Sequence, residues 1–120
     1  MITAQAILEA YPYYFELNLF LSIIWGPFIE EVLFRGYFLE ILKSSWSVKA
    51  SILVSSLLFT IGHKGLAEIL LNGKWHYIMS VLMIFLSSVV FSAAYIRGGL
   101  LAAAIIHMFA NLYFFIITKG

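Results

Sequence analysis

The chain has 120 residues, 63% of them hydrophobic and 11% charged, with a net charge of +1 and no cysteine. A soluble domain averages roughly 25% charged and 45–50% apolar residues, so this composition, with a mean hydropathy of +1.01, is that of an integral membrane protein. No basic cluster invites nucleic acid, and the lack of cysteine removes both disulfides and a thiol nucleophile.

The expected fold class is all-α: a polytopic transmembrane helical bundle of about four hydrophobic helices, forming one domain over residues 1–120. The N-terminal stretch MITAQAILEAYPYY has no basic region followed by a clean apolar core, so no signal peptide is expected. The first helix is expected from Tyr13 to Leu42, with a kink at Gly26-Pro27, where proline removes a backbone donor. It is longer than the ~20 residues that cross a bilayer, so two pieces are possible. The second is expected over Val48–His63, the third over Tyr77–Ile96 and the fourth over Leu100–Ile117. Between the second and third, Lys64–His76 carries enough leucine and isoleucine to lie along the interface as an amphipathic turn. Lys43, Lys49 and Arg97 then share one membrane face, and Lys64, Lys74 and Lys119 the other, a balance that leaves orientation open.

The first helix contains Glu30, Glu31 and Arg35 within the apolar run LFLSIIWGPFIEEVLFRGYF. A carboxylate at bilayer depth is costly, and is kept there by a partner or by a task. Successive residues lie ~100° apart on a helix, so the two glutamates cannot share a face. Glu31 and Arg35, four residues apart, can neutralise each other as a structural ion pair. Glu30 is left freer to act.

Depths counted from the Lys43 face, at ~1.5 Å per residue, put Glu30 at roughly 18 Å, His63 at 22 Å, His107 at 10 Å and Asn111 at 16 Å. Three helices therefore carry a carboxylate, two imidazoles and an amide into one slab of the membrane. Phe59 and His63, like His107 and Asn111, are four apart and project together. Taken singly, these residues have plainer explanations. Asn111 alone would be interhelical glue, Arg97 a snorkelling side chain, and His76, between Trp75 and Tyr77, an interface anchor excluded from the site.

The segments EEVLFR at 30–35, FTIGH at 59–63 and HMFAN at 107–111 resemble the CPBP family of CAAX proteases and bacteriocin-processing enzymes, also called Abi. Its signatures are Glu-Glu-x-x-x-Arg, Phe-x-x-x-His and His-x-x-x-Asn, in that order on successive transmembrane helices. All three occur here with intact spacing, and the likeness covers about residues 20–117. Such proteins usually carry further helices before the Glu-Glu helix, so the chain is expected to be a minimal or N-terminally truncated core.

The resemblance implies an intramembrane endopeptidase similar to the type II CAAX prenyl endopeptidases. Glu30 and His63 would activate a water, and His107 and Asn111 would form the oxyanion hole. The substrate would be a peptide or protein in the bilayer, processed in CAAX-type maturation, in bacteriocin maturation or self-immunity, or in protein sorting. The implied location is the cytoplasmic membrane of a bacterium.

No metal and no cofactor is expected, with zinc as the alternative: a glutamate with His63 and His107 is a possible ligand set with an open position for water. Two readings from other classes stay open. One is a non-catalytic membrane scaffold, the other a proton pathway, since intramembrane Glu and His chains also relay protons.

Overall fold

The computed structural model describes the backbone of residues 12–119 and the side chains of residues 16–117. The segment read for a signal peptide lies almost wholly outside the described residues. The chain is helical, with no strand among the described residues.

A continuous helical rod opens the fold. It comprises α1 (Pro12–Phe20), a π-helical segment Leu21–Trp25, α2 (Gly26–Glu31), a second π segment Val32–Leu39, and α3 (Glu40–Lys43). At Gly26-Pro27, where a kink is expected, the helix widens into a π turn. The Gly26 N–H reaches back five residues to the Leu21 carbonyl. A Cβ on Gly26 would stand 2.8 Å from that carbonyl oxygen, so the wide turn requires glycine there. Pro27 follows in the first turn of α2, where a missing N–H costs little. The Glu-Glu pair thus ends a short α-helical stretch with π turns on both sides, a winding often found at functional sites.

Helix α4 (Val48–Lys64) starts where the Ser47 hydroxyl accepts from the Ala50 N–H at 3.1 Å, an N-cap. It stops at Gly65, whose φ of 79° ends the helix in the left-handed region. Short helix α5 (Leu66–Leu71) occupies the expected interfacial turn and exposes Leu70 and Leu71. Helix α6 (Trp75–Lys119) is broken at Gly99, with φ 85° and ψ −173°. The rings of Phe91 and His107 stack at 4.4 Å although sixteen residues separate them, so the chain reverses there and the two limbs run antiparallel. The expected third and fourth helices are these limbs.

Both ends of the bundle are tied. Tyr95 donates its hydroxyl to Glu40 Oε1 at 2.5 Å, and Lys43 Nζ lies 5.8 Å from the Tyr95 ring, which joins α3 to the first limb of α6 on one face. At the other face Lys64 Nζ lies 5.3 Å from the Tyr77 ring.

Burial is inverted relative to a water-soluble domain. Glu31, Arg35, Ser51, Ser55, Ser56, Thr60, Ser88, Ser92 and His107 are buried, whereas leucines, isoleucines and phenylalanines cover the outside. Apolar side chains gain nothing by leaving lipid, so small and polar residues hold such a bundle together. Two helical stretches, Glu16–Lys43 and Trp75–Ile117, are long and apolar enough to cross a membrane, and little of either is buried within the protein.

Candidate active site

The rod, α4 and the second limb of α6 converge on Glu30. Its Oε2 lies 3.3 Å from His63 Nε2 and 3.6 Å from His107 Nε2. Glu30 and His63 are each about one-third exposed, at 35% and 33%, whereas His107 is buried. The α4 ladder sets His63 in place. Its Nδ1 lies 2.8 Å from the Phe59 carbonyl one turn back, and its ring packs on Phe59 at 4.2 Å.

His107 is fixed on its other side by Glu31, whose Oε2 is 2.7 Å from Nδ1. The two glutamates therefore address the two nitrogens of one imidazole. Glu31 also meets Arg35 as expected, with Oε1 3.3 Å from Nε. That contact is an ion pair without hydrogen-bond alignment, since neither atom has a hydrogen-bond partner. Arg35 lies within the second π segment, where four residues fall short of a full turn and the two groups are offset. Its stronger anchors are on α6: Nη2 donates to the Ser88 carbonyl and to Ser88 Oγ, both at 2.6 Å. The guanidinium also sits 5.0 Å from the Phe59 ring and 5.6 Å from the Phe91 ring.

Asn111 reaches the same neighbourhood from one turn beyond His107. Its Nδ2 donates to the Ser22 carbonyl at 3.1 Å, in the first π segment. One of its two N–H bonds is thereby taken and the other is left for a ligand. A cavity of about 460 Å³ is lined by His63 of α4, by His107 and Asn111 of the second limb of α6, and by first-limb residues including His76, Ser80, Ser87 and Phe91. His76, read from the sequence as an interface anchor apart from the site, is exposed and forms part of this lining.

Sequence reasoning missed three roles. Glu31 is more than the partner of Arg35. The signal was available in its two carboxylate oxygens, of which one guanidinium contact engages only one. Ser88 and Phe91 carried no spacing signal toward Arg35, because they lie more than fifty residues away. His76 is brought back by the folding of Lys64–His76 and could not be placed by helical arithmetic.

Hydrogen-bond counting constrains the centre. A carbonyl only accepts, so His63 Nδ1 carries a proton, and a carboxylate on His107 Nδ1 asks the same of that ring. Neutral imidazoles would then aim two Nε2 lone pairs at Glu30 Oε2, which has no hydrogen-bond partner. Acceptor facing acceptor is unfavourable, so a donor placed among these atoms would satisfy them.

The fit to a metal was tested on the same atoms. Two Nε2 atoms and one carboxylate oxygen converge, with each Nδ1 held by a second partner, which is the support metal-bound histidines need. Contacts of 3.3 and 3.6 Å between the donors themselves are those of groups meeting directly, and among the described residues no group of three or more ligating side chains has metal-site geometry.

A family model described as Type II CAAX prenyl endopeptidase Rce1-like matches residues 12–113. A curated relative from Escherichia coli, described as an uncharacterized 24.3 kDa protein, is 33% identical over 98 residues, covering 79% of this chain and 41% of the relative. The chain spans about two-fifths of the length of that relative. No solved structure matches.

Proposed function

We propose that this chain, which belongs to the Type II CAAX prenyl endopeptidase Rce1-like family, is an intramembrane endopeptidase. The observation that carries the proposal is the contact of one carboxylate oxygen, Glu30 Oε2, with the Nε2 atoms of both His63 and His107 beside a cavity. Peptide hydrolysis needs a base to take a proton from water, a donor for the developing oxyanion and an acid for the leaving amine.

Glu30 and His63 are the partly exposed members and meet water first. Glu30 accepts the proton of a water that attacks the carbonyl, and His63, held by the Phe59 carbonyl, orients that water. His107 has Nδ1 committed to Glu31, so a proton on Nε2 makes it a donor stabilised by a buried carboxylate. Its Nε2–H and the free N–H of Asn111 are the oxyanion donors. The proton held at Glu30 then passes to the leaving nitrogen, which restores the carboxylate.

The substrate is a peptide or protein segment held in the bilayer. Exposed Met79, Met83 and Phe114 on the cavity rim offer it an apolar entry. CAAX-type processing is the class nearest the family description, with bacteriocin or self-immunity processing and protein sorting as the other substrates of this reading. The Escherichia coli relative supports a bacterial setting, and the two apolar helical stretches support its cytoplasmic membrane as the location.

The convergent donor set supports one second reading, a zinc-dependent endopeptidase built on the same residues. The deciding experiment is a search for cleaved membrane peptides with purified protein, wild type against Glu30→Gln, before and after thorough chelation. Loss in Glu30→Gln with indifference to chelation supports the metal-free mechanism. Zinc-restorable activity replaces it with the second reading. Full activity in Glu30→Gln, or pH-driven proton flux in liposomes without cleavage, defeats both.

A further inference from the structure

Among the described residues, every buried hydroxyl but that of Ser56 is hydrogen-bonded. Ser51, Ser55, Thr60 and Ser92 are buried, and each donates to a backbone carbonyl three or four residues back. That local bond is how a hydroxyl is satisfied inside a membrane. Ser80 and Ser87 differ. Both are half-buried, both line the cavity, and neither has a hydrogen-bond partner among the described residues.

His76, Ser80 and Ser87 occupy a single strip of α6. At ~100° per residue they fall within about 40° of arc, and at ~1.5 Å per residue the strip runs about 16 Å along the axis. Met79 and Met83 flank it on one side, Ile84 and Phe91 on the other, all of them lining the same cavity. Its outer end is exposed His76, close to the face with Lys64 and Lys74. Its inner end, Ser87, faces a space shared with His107 and Asn111. A wholly apolar cavity stays dry, whereas recurring polar groups admit water. Each peptide bond cut consumes one water, giving a carboxylate and an amine, and that water must pass a belt of lipid-facing side chains.

We propose that the His76–Ser80–Ser87 strip is the route by which water enters the Glu30–His63–His107 centre, from the membrane face that carries Lys64 and Lys74. The inference rests on reading that centre as hydrolytic, and it assigns three residues to water supply. Its test needs no substrate. The chain has no cysteine, so a single introduced thiol is the only target of a thiol reagent.

Full-length protein in sealed vesicles is treated with a permanently charged methanethiosulfonate added from one side. Lys74→Cys and Ser45→Cys report which face the reagent has reached. Ser80→Cys and Ser87→Cys are near-isosteric reporters on the strip, and Ala110→Cys reports from the opposite cavity wall should either strip variant fail to fold. Leu82→Cys and Leu86→Cys, on the exposed apolar side of the same helix, are the lipid controls.

Only a hydrated thiol ionises and reacts, so the cavity positions should label at least roughly tenfold faster than the lipid controls. Labelling should come from the Lys74 face, with Ser80→Cys faster than Ser87→Cys. Two results would overturn the route: Ser87→Cys and Ala110→Cys no faster than Leu86→Cys in folded protein, or labelling from the Ser45 face alone. A hydrated strip without any proteolysis would defeat the peptidase reading and leave the route standing, so the two failures are separable.

Discussion

Glu31 and His107 are joined by a contact of 2.7 Å between Oε2 and Nδ1, with both side chains buried and 76 residues between them in sequence. This contact ties the rod to the second limb of α6, and it leaves His107 Nε2 directed at the neighbouring Glu30. The Glu-Glu pair thereby divides its work: Glu31 holds the imidazole, and Glu30 meets the Nε2 atoms of both histidines, where chemistry is proposed.

The two glutamates should separate stability from turnover. Glu30 is about one-third exposed, and Glu30→Gln should keep the unfolding temperature near wild type while abolishing cleavage, because an amide cannot take a proton. Glu31→Gln should lower stability as well, by about 3–5 kcal/mol, because it leaves Arg35 buried without its counter-charge. Thermal unfolding in detergent, run alongside the cleavage assay, checks both. Equal stability losses in the two variants would refute the division.

Arg35→Ala should reduce the yield of folded protein, with a cost of about 3–5 kcal/mol for breaking a buried charge network. Arg35→Lys should fail to rescue it. An ammonium cannot reproduce the paired donation to the Ser88 carbonyl and hydroxyl or lie flat against Phe59 and Phe91. Size-exclusion profiles and unfolding curves give the measurement, and a lysine variant matching wild type would contradict it.

Asn111→Ala should slow cleavage by roughly 10²–10³, the scale for losing one oxyanion donor. It should also cost about 1 kcal/mol of stability, because the Ser22 carbonyl loses its donor. A drop in stability with an unchanged turnover number would confine Asn111 to the structural tie.

Exhaustive treatment with EDTA or phenanthroline should leave cleavage unchanged. A zinc enzyme would lose activity and regain it on adding zinc, and its metal would show ligand distances of about 2.0–2.2 Å. Activity assays with metal analysis of the same sample decide the matter.

Gly99→Ala should destabilise the fold by about 1–3 kcal/mol, since only glycine rests easily at φ 85°. The strain falls at the reversal that brings His107 back beside Phe91, so cleavage should fall with it. Unchanged stability in this variant would show that the limbs can reverse without the left-handed residue.

Much of the architecture was legible because lipid imposes simple rules. An apolar run with no unpaired backbone donor must be helical, so composition and span length were enough to place the rod, α4 and both limbs of α6 within a few residues. The breaks at Gly65 and Gly99 fall in the gaps left between the expected helices. The π segments were not legible, since the Gly26-Pro27 pair reads equally as a kink and as a wide turn until the Leu21 carbonyl is seen bonding to Gly26. The four proposed site residues were nominated by type and depth, and Glu30, His63 and His107 do meet in the folded chain.

The sequence by itself determined the helices, their order and the residue types that reach one membrane depth, because these depend on local hydropathy and on a fixed rise per residue. Tertiary structure alone decided the pairing of atoms. The rotation of each helix about its axis set which nitrogen of His107 meets which glutamate. The approach of α6 gave Arg35 its anchors at Ser88, 53 residues away. The fold of the α4–α6 connection brought His76 onto the cavity wall. These outcomes turn on helix rotation and on contacts between distant segments, and helical periodicity carries no information about either.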